Sequence, residues 1–473
     1  MTRLGRLRDG WTRPCGGREV LQISLPLVIS TISTTLMIFV DRMFLLWYSP
    51  EAMAAAMPAG MFHFTVISFP MGVALYVNTF VAQYEGAGRP RQIGPLVWQG
   101  IWIGVLAAPL LMATSPWVAT ALTWANRDQQ LAGLEATFYR VLTFGSGAMI
   151  IAAAQVSFFT GRGKTRVVMC VDTTATLLNA VLDYAWIFGH LGFSAGGIAG
   201  AAWATTTAEW FRVLAYGGIM FRPANIQTYQ WATAWRPNAR LMGRLWRYGG
   251  PGGLQTFMEV AAFTVFLILV GRLGEVPLAA TTLAFTINNV AWVPMWGLGT
   301  AVTAMVGQQL GQNRADLAAR ATWTALGMAL AYMGTMAVLY VTVPDWFLKG
   351  HAAGTSPATF GPLRDLTVVL LRFVAAYCLF DALNVVFVSA IRGAGDMRFI
   401  LLTTLVMSPP PLLAAWWGIA RQGWGLLWCW SIITVWICSL GLIYLVRFLQ
   451  GRWREMRVIE PEATSARPQR EEG

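Results

Sequence analysis

The chain has 473 residues, of which 56% are hydrophobic and 12% charged, against about 25% charged in ordinary soluble proteins. That balance excludes a protein of one or two soluble domains, because no polar stretch is long enough to fold outside a membrane. The net charge of +12 lies in short segments between apolar runs, where it sets membrane topology and leaves no basic domain for nucleic acid.

Twelve apolar runs follow in order, at 20–48, 52–83, 94–115, 137–160, 167–189, 196–220, 247–271, 277–309, 320–343, 366–391, 398–419 and 425–449. Each matches the roughly 20 residues that a spanning helix needs. The first run continues well past the length of a signal-peptide core, so it is expected to stay as a span behind a basic tail. Pro58 and Pro70 in the second run and Pro294 in the eighth are expected to interrupt the backbone ladder locally. The expected fold class is an all-α polytopic membrane protein of two six-helix lobes, related by a pseudo-two-fold along the membrane normal. Its parts are a tail at 1–19, a lobe at 20–221, an inter-lobe loop at 222–246, a lobe at 247–449 and a tail at 450–473. The end of that last tail, rich in Pro, Glu and Arg, reads as disordered.

Twenty-five of the 34 Lys and Arg fall on one side of the alternating pattern, among them Arg89, Arg91, Arg162, Lys164, Arg392 and Arg398. Such a bias places both termini in the cytoplasm of a cell-membrane protein. The two halves repeat. Gln83 in VAQYEGAGRPRQ aligns with Gln308 in MVGQQLGQNRAD, Gly86 with Gly311, and Pro26 with Pro251, at a constant offset of 225. TGRGKTR, ending at Arg166, likewise resembles IRGAGDMR, ending at Arg398. Six spans per half is an even number, so the repeats are parallel, and secondary transporters place their substrate between such repeats.

Acids inside the spans are the candidate functional groups, since a carboxylate at bilayer depth costs about 2.5–3.5 kcal/mol on insertion scales. Ser30, Thr34 and Asp41 share a face of the first span. Asp172, Thr176, Asn179 and Asp183 share a face of the fifth, with Asp172 near the inner end and expected to be solvated. Glu259 lies mid-way along the seventh, one turn after Gln255. Tyr377, Asp381 and Asn384 share a face of the tenth. Asn288 and Asn289 form a weaker patch in the eighth. Glu209 and Arg212 read as an i,i+3 ion pair. Asp345, Arg364, Asp365 and Arg372 read as a structural group, with Arg372 pairing Asp365. A carboxylate held away from water can take a proton or Na⁺ on one side and release it on the other. The 23 Trp and 25 Phe are mostly interface belts and packing, and aromatics beside acids suit a bulky organic cation. Five scattered cysteines without a C-x-x-C pair, and three histidines far apart, support neither a disulfide framework nor a zinc or haem site. No cofactor or resident metal is expected beyond the ion.

These residues carry a family resemblance. LPLVISTISTTLMIFVDRMFL, PMGVALYVNTFVAQYEGAGR, FFTGRGKTR, LLNAVLDYAWIFG, GGPGGLQTFMEV, GLGTAVTAMVGQQLGQNR and LFDALNVVFVSAIRGAGDMR resemble the multidrug and toxic compound extrusion (MATE) transporters, over about 20–450. The resemblance implies drug/cation antiport driven by H⁺ or Na⁺. It puts the first-span acid of the family on Asp41, and the NorM-branch acids of the seventh and tenth spans on Glu259 and Asp381, with Tyr377 nearby. Asn179 and Asp183 match instead the N-x-x-x-D pair of the DinF branch, whose cation site lies in the N-terminal lobe. The coupling groups expected on this basis are Asp41, Asn179, Asp183, Glu259 and Asp381, with Na⁺ or H⁺ at the first three. Thr34, Gln255, Asn289, Tyr377 and Asn384 are expected to line the substrate cavity. The expected partners are small organic cations and the bilayer, with the chain a monomer. A lipid-linked oligosaccharide flippase of the same wider superfamily is the alternative, although mid-span Arg for a pyrophosphate is scarce. A membrane-embedded transferase fits less well, because the loops are short and poor in His.

Overall fold

The computed structural model describes residues 11–125, 129–352 and 357–460. Arg3, Arg6, Arg8, Arg127 and the chain beyond Glu460 lie outside the described residues. Every long element is a helix. The spans are Gly17–Tyr48, Pro50–Gly86, Pro90–Ala121, Gln129–Gly161 and Thr165–Phe188, then Gly197–Met220 as the sixth. The second half runs Ala239–Gly271, Glu275–Gly311, Ala315–Thr342, Phe360–Ala394, Met397–Gln422 and Leu426–Leu449. Eleven are apolar enough over 18 residues to cross a bilayer. The sixth falls short because Thr205, Thr206, Thr207, Glu209 and Arg212 dilute its Ala- and Trp-rich run.

Proline marks the interruptions less simply than its positions suggest. The second span stays helical through Pro58 and Pro70 and breaks only at Tyr76, between Pro50–Leu75 and Val77–Gly86. The eighth is one helix through Pro294. The break that the sequence reading did not anticipate is in the eleventh span, at Ser408, where Pro409 opens a second helix. A proline at the start of a helix has no N–H to lose, so three in succession restart the helix there.

The linker between the halves is not a loose loop. Pro223–Tyr229 forms a short helix, and the seventh span starts at Ala239, where Asn238 caps it by accepting from the Arg240 and Leu241 amides. In between, the backbone is held by the third span. Trp98 donates to the Trp231 carbonyl at 3.2 Å and Trp102 to that of Trp235 at 2.7 Å. The Gln99 amide donates to the Arg236 carbonyl and accepts from the Asn238 N–H. Trp231 is fully buried, and the Arg162 guanidinium lies over the rings of Phe158 and Tyr229 at 4.4 and 4.3 Å. The linker therefore belongs mechanically to the N-terminal lobe.

The fourth span, with 83% of its apolar window buried, is the axis of the N-terminal lobe, whereas the first and seventh, at 33% and 28%, lie at lobe surfaces. The lobes meet near the face that carries both chain ends, called the terminal face below. Leu27 and Val28 touch Gly297, and Phe69 and Val73 touch Gly253. Gly86 and Gly311 lie against the backbones of Gln308 and Gln83, an approach too close for any Cβ. Among the described residues, all interlobe hydrogen bonds lie at that end. Toward the opposite face no hydrogen bond among the described residues joins the lobes, and the interlobe space on that side is called the cleft below.

Candidate ion and substrate sites

The first and fifth spans pack along a polar seam. Thr176 donates to the Ser33 carbonyl at 3.1 Å, and the Ser33 and Thr173 hydroxyls are 3.1 Å apart. Asn179 and Asp183 lie further along this seam, both fully buried. Asp41 faces them from the first span, close enough that its charge acts on Asp183. Here the polar pairing stops. Both amide atoms of Asn179, both carboxylate oxygens of Asp183 and Oδ1 of Asp41 have no hydrogen-bond partner in the structure. Buried polar groups are almost always paired, and an unpaired buried charge costs several kcal/mol. Two carboxylates and an amide oxygen, buried and unpartnered on two packed spans, form an acceptor set that calls for positive charge. Hard oxygen donors of this kind fit a proton or a hard monovalent cation rather than a soft metal. Thr34, expected in the cavity, is half-buried and spends its hydroxyl on the Ser30 carbonyl of its own helix.

The C-terminal lobe holds its acids in two places rather than one. Gln255 donates to Glu259 at 2.9 Å and accepts from Arg392 at 3.3 Å. Arg392, counted from the sequence among the topology-setting charges of the terminal face, instead turns inward to mid-bundle. Glu259 is enclosed by neighbouring helices yet keeps an exposed surface, as a group lining an interior cleft does. Asp381 is buried beside Tyr377, with the Asn384 side chain on the same face. No hydrogen bond among the described residues links Glu259 to Asp381, so the expected single cluster of Glu259, Tyr377 and Asp381 is not formed in this conformation. The reason is packing. The seventh span lies against the second and eleventh, and the tenth against the eighth, ninth and twelfth. The seventh and tenth touch through Arg392, about three turns from Asp381. Asn289 is exposed, and its neighbour Asn288 is the buried one, with Oδ1 unpartnered.

Asp172 is the clearest correction. Instead of being solvated it is buried, and accepts from Ser30, from Tyr216 at 2.7 Å and from Arg212 at 3.0 Å. Arg212 also pairs with Glu209 at 2.9 Å, as their spacing predicts. One guanidinium thus serves two buried carboxylates on two spans, and Ser30 ties the first span to the same carboxylate of Asp172. The available signal was the face shared by Glu209, Arg212 and Tyr216 on the sixth span, which needed a partner. At the far face, Arg364 pairs with Asp345 at 2.6 Å and with Asp365 at 2.9 Å, taking the place expected for Arg372. Its hydrogen bond holds the exposed Asp345 carboxyl below the usual range.

The comparisons with known proteins agree with this architecture. The MatE family model matches residues 26–185 and again 251–415, at the offset of the internal repeat. Multidrug resistance protein PmpM of Pseudomonas aeruginosa is 29% identical over 407 residues, covering 85% of this chain and 82% of PmpM. A probable multidrug resistance protein NorM of Brucella suis is 25% identical over 409 residues, 85% of each chain. Among solved structures, an outward-facing multidrug resistance MATE family transporter of the MOP superfamily superimposes with a TM-score of 0.84. It is 18% identical, with 97% of this chain and 100% of that one covered. A MOP superfamily transporter from Pyrococcus furiosus gives 0.83 at 18% identity, over 95% and 99%. With its two matched repeats, its twelve-helix fold and its intramembrane acids, the chain belongs to the MatE family of membrane transporters.

Proposed function

We propose that this transporter is a secondary antiporter of the cell membrane that exports amphipathic organic cations in exchange for H⁺ or Na⁺. Both termini are cytoplasmic in this reading, so the cleft opens outward. The chain acts as a monomer with no nucleic-acid partner and no cofactor other than the ion. The observation that carries it is the set of five unpartnered polar atoms of Asp41, Asn179 and Asp183 in the N-terminal lobe. They bind the coupling ion. Glu259, exposed on the cleft side, presents its carboxylate to the substrate, and Gln255 orients it. Asp381, Asn384 and Tyr377 supply the second polar patch of the same lobe. Rocking of the two lobes exposes these sites alternately to the two sides. The membrane potential adds about 2.3 kcal/mol per charge per 100 mV.

The test uses the purified protein in liposomes, following a fluorescent organic cation under a pH gradient and, separately, under a Na⁺ gradient. Transport driven by one gradient and lost in Asp183→Asn is the expected result. No transport under either gradient, from protein that is folded, overturns the reading.

A further inference from the structure

The repeat that aligns Gln83 with Gln308 becomes a reciprocal pair of bonds. Gln83, in the N-terminal lobe, is fully buried and donates to the Gly393 carbonyl of the other lobe at 3.0 Å. Gln308, in the C-terminal lobe, donates back to the Gly161 carbonyl at 2.7 Å. Gly161 and Gly393 lie in the two motifs that the sequence also pairs, TGRGKTR and IRGAGDMR. Each glutamine therefore caps the end of a span in the opposite lobe, where helix carbonyls have no partner of their own.

The symmetry is broken at one point. The amide of Val458 donates to Gln83 Oε1 at 2.8 Å, so both ends of that side chain are in use. Val458 belongs to a strap that follows the last span and is anchored to the C-terminal lobe. Trp453 is buried, stacks on Phe448 at 4.7 Å and donates to its carbonyl. Arg244 donates to the Val458 carbonyl at 2.7 Å and to the Glu460 carboxylate at 2.8 Å. From that anchorage the strap reaches the N-terminal lobe twice, at Gln83 and through Arg89, which donates to the Glu460 carbonyl at 2.8 Å.

We infer that Gln83 and Gln308 form a two-fold gate that closes the terminal face, and that the strap around Val458 latches the Gln83 half of it. The inference rests on the alternating-access reading above. Opening the terminal face requires both glutamine bonds to break and the strap to release Gln83 and Arg89. The strap then travels with the C-terminal lobe, to which it stays anchored. A gate of this kind sets the rate of return to the form open at the terminal face.

The test is the distance between spin labels at Arg166→Cys and Arg398→Cys, two exposed positions at the terminal ends of the lobes, in full-length protein whose native cysteines are replaced. Gln83→Leu and Gln308→Leu are expected to raise the population with a long label distance, by roughly five-fold per bond lost. Val458→Pro, which removes the N–H donor to Gln83, is expected to do so to a smaller extent, and a chain ending at Arg457 to act in the same direction. Unchanged distances in Val458→Pro and in the shortened chain, while the wild type opens when the organic cation or a gradient is supplied, overturn the latch. Unchanged distances in both glutamine variants overturn the gate. A label distance that never changes in the wild type, under any gradient, overturns alternating access itself and is thereby distinguished from failure of the gate.

Discussion

At the residue scale, two buried acid groups of the N-terminal lobe differ in kind. Asp172 is saturated by Ser30, Tyr216 and Arg212, so its role is to hold three spans together. Neither carboxylate oxygen of Asp183 has a hydrogen-bond partner, which is what the proposed cation site requires. Substitution should separate the two. Arg212→Met leaves Asp172 and Glu209 without their shared counter-charge and should cost about 3–5 kcal/mol, read as a lowered Tm in detergent. An unchanged Tm removes the structural role. Asp41→Asn and Asp183→Asn should leave the amount of folded protein and its Tm near wild type while abolishing gradient-driven export in liposomes. Wild-type export from either variant removes that acid from the coupling site.

At the scale of elements, the inter-lobe linker is the segment whose behaviour the structure changes most. From the sequence it reads as a loop joining two lobes, yet the indoles of Trp98 and Trp102 hold its carbonyls and Trp231 fills a buried space. Trp231→Ala should cost about 3–5 kcal/mol, the usual range for a large buried aromatic. It should also make the linker sensitive to added protease. Resistance equal to wild type places the anchorage elsewhere. The eleventh span teaches a related lesson. Its three prolines end one helix and start another within a single apolar run, which a hydropathy profile cannot resolve because it counts apolarity rather than backbone donors.

For the whole molecule, the interlobe hydrogen bonds of the described residues gather at the terminal face, and acids of similar sequence character differ in exposure. Glu259 lines the cleft, while Asp183 is sealed between the first and fifth spans. In an otherwise cysteine-free protein, Glu259→Cys should react with a membrane-impermeant maleimide supplied at the cleft side, and Asp183→Cys should react far more slowly. Equal rates at the two positions contradict the closed lobe interior. The matches of the family model to 26–185 and 251–415 show that both lobes descend from one pattern, yet their polar interiors have diverged. One has an unpaired acid pair, the other a Glu259–Gln255–Arg392 chain.

The sequence by itself determined what is periodic along one helix: twelve spans in two parallel repeats, acids grouped on single faces, and the pairing of Glu209 with Arg212. Spacing of three, four or seven residues specifies a face without reference to anything else. Only the tertiary structure decided what each face meets. Ser30 and Asp172 are 142 residues apart, and Gln83 and Gly393 310 apart. Their contacts depend on helix packing within a lobe and on closure between lobes. The same holds for the separation of Glu259 from Asp381, since two acids can each be mid-span and still lie on helices packed against different neighbours. A hydrogen bond requires a partner within about 3 Å, and one-dimensional order does not encode that distance once the chain has crossed the membrane and returned.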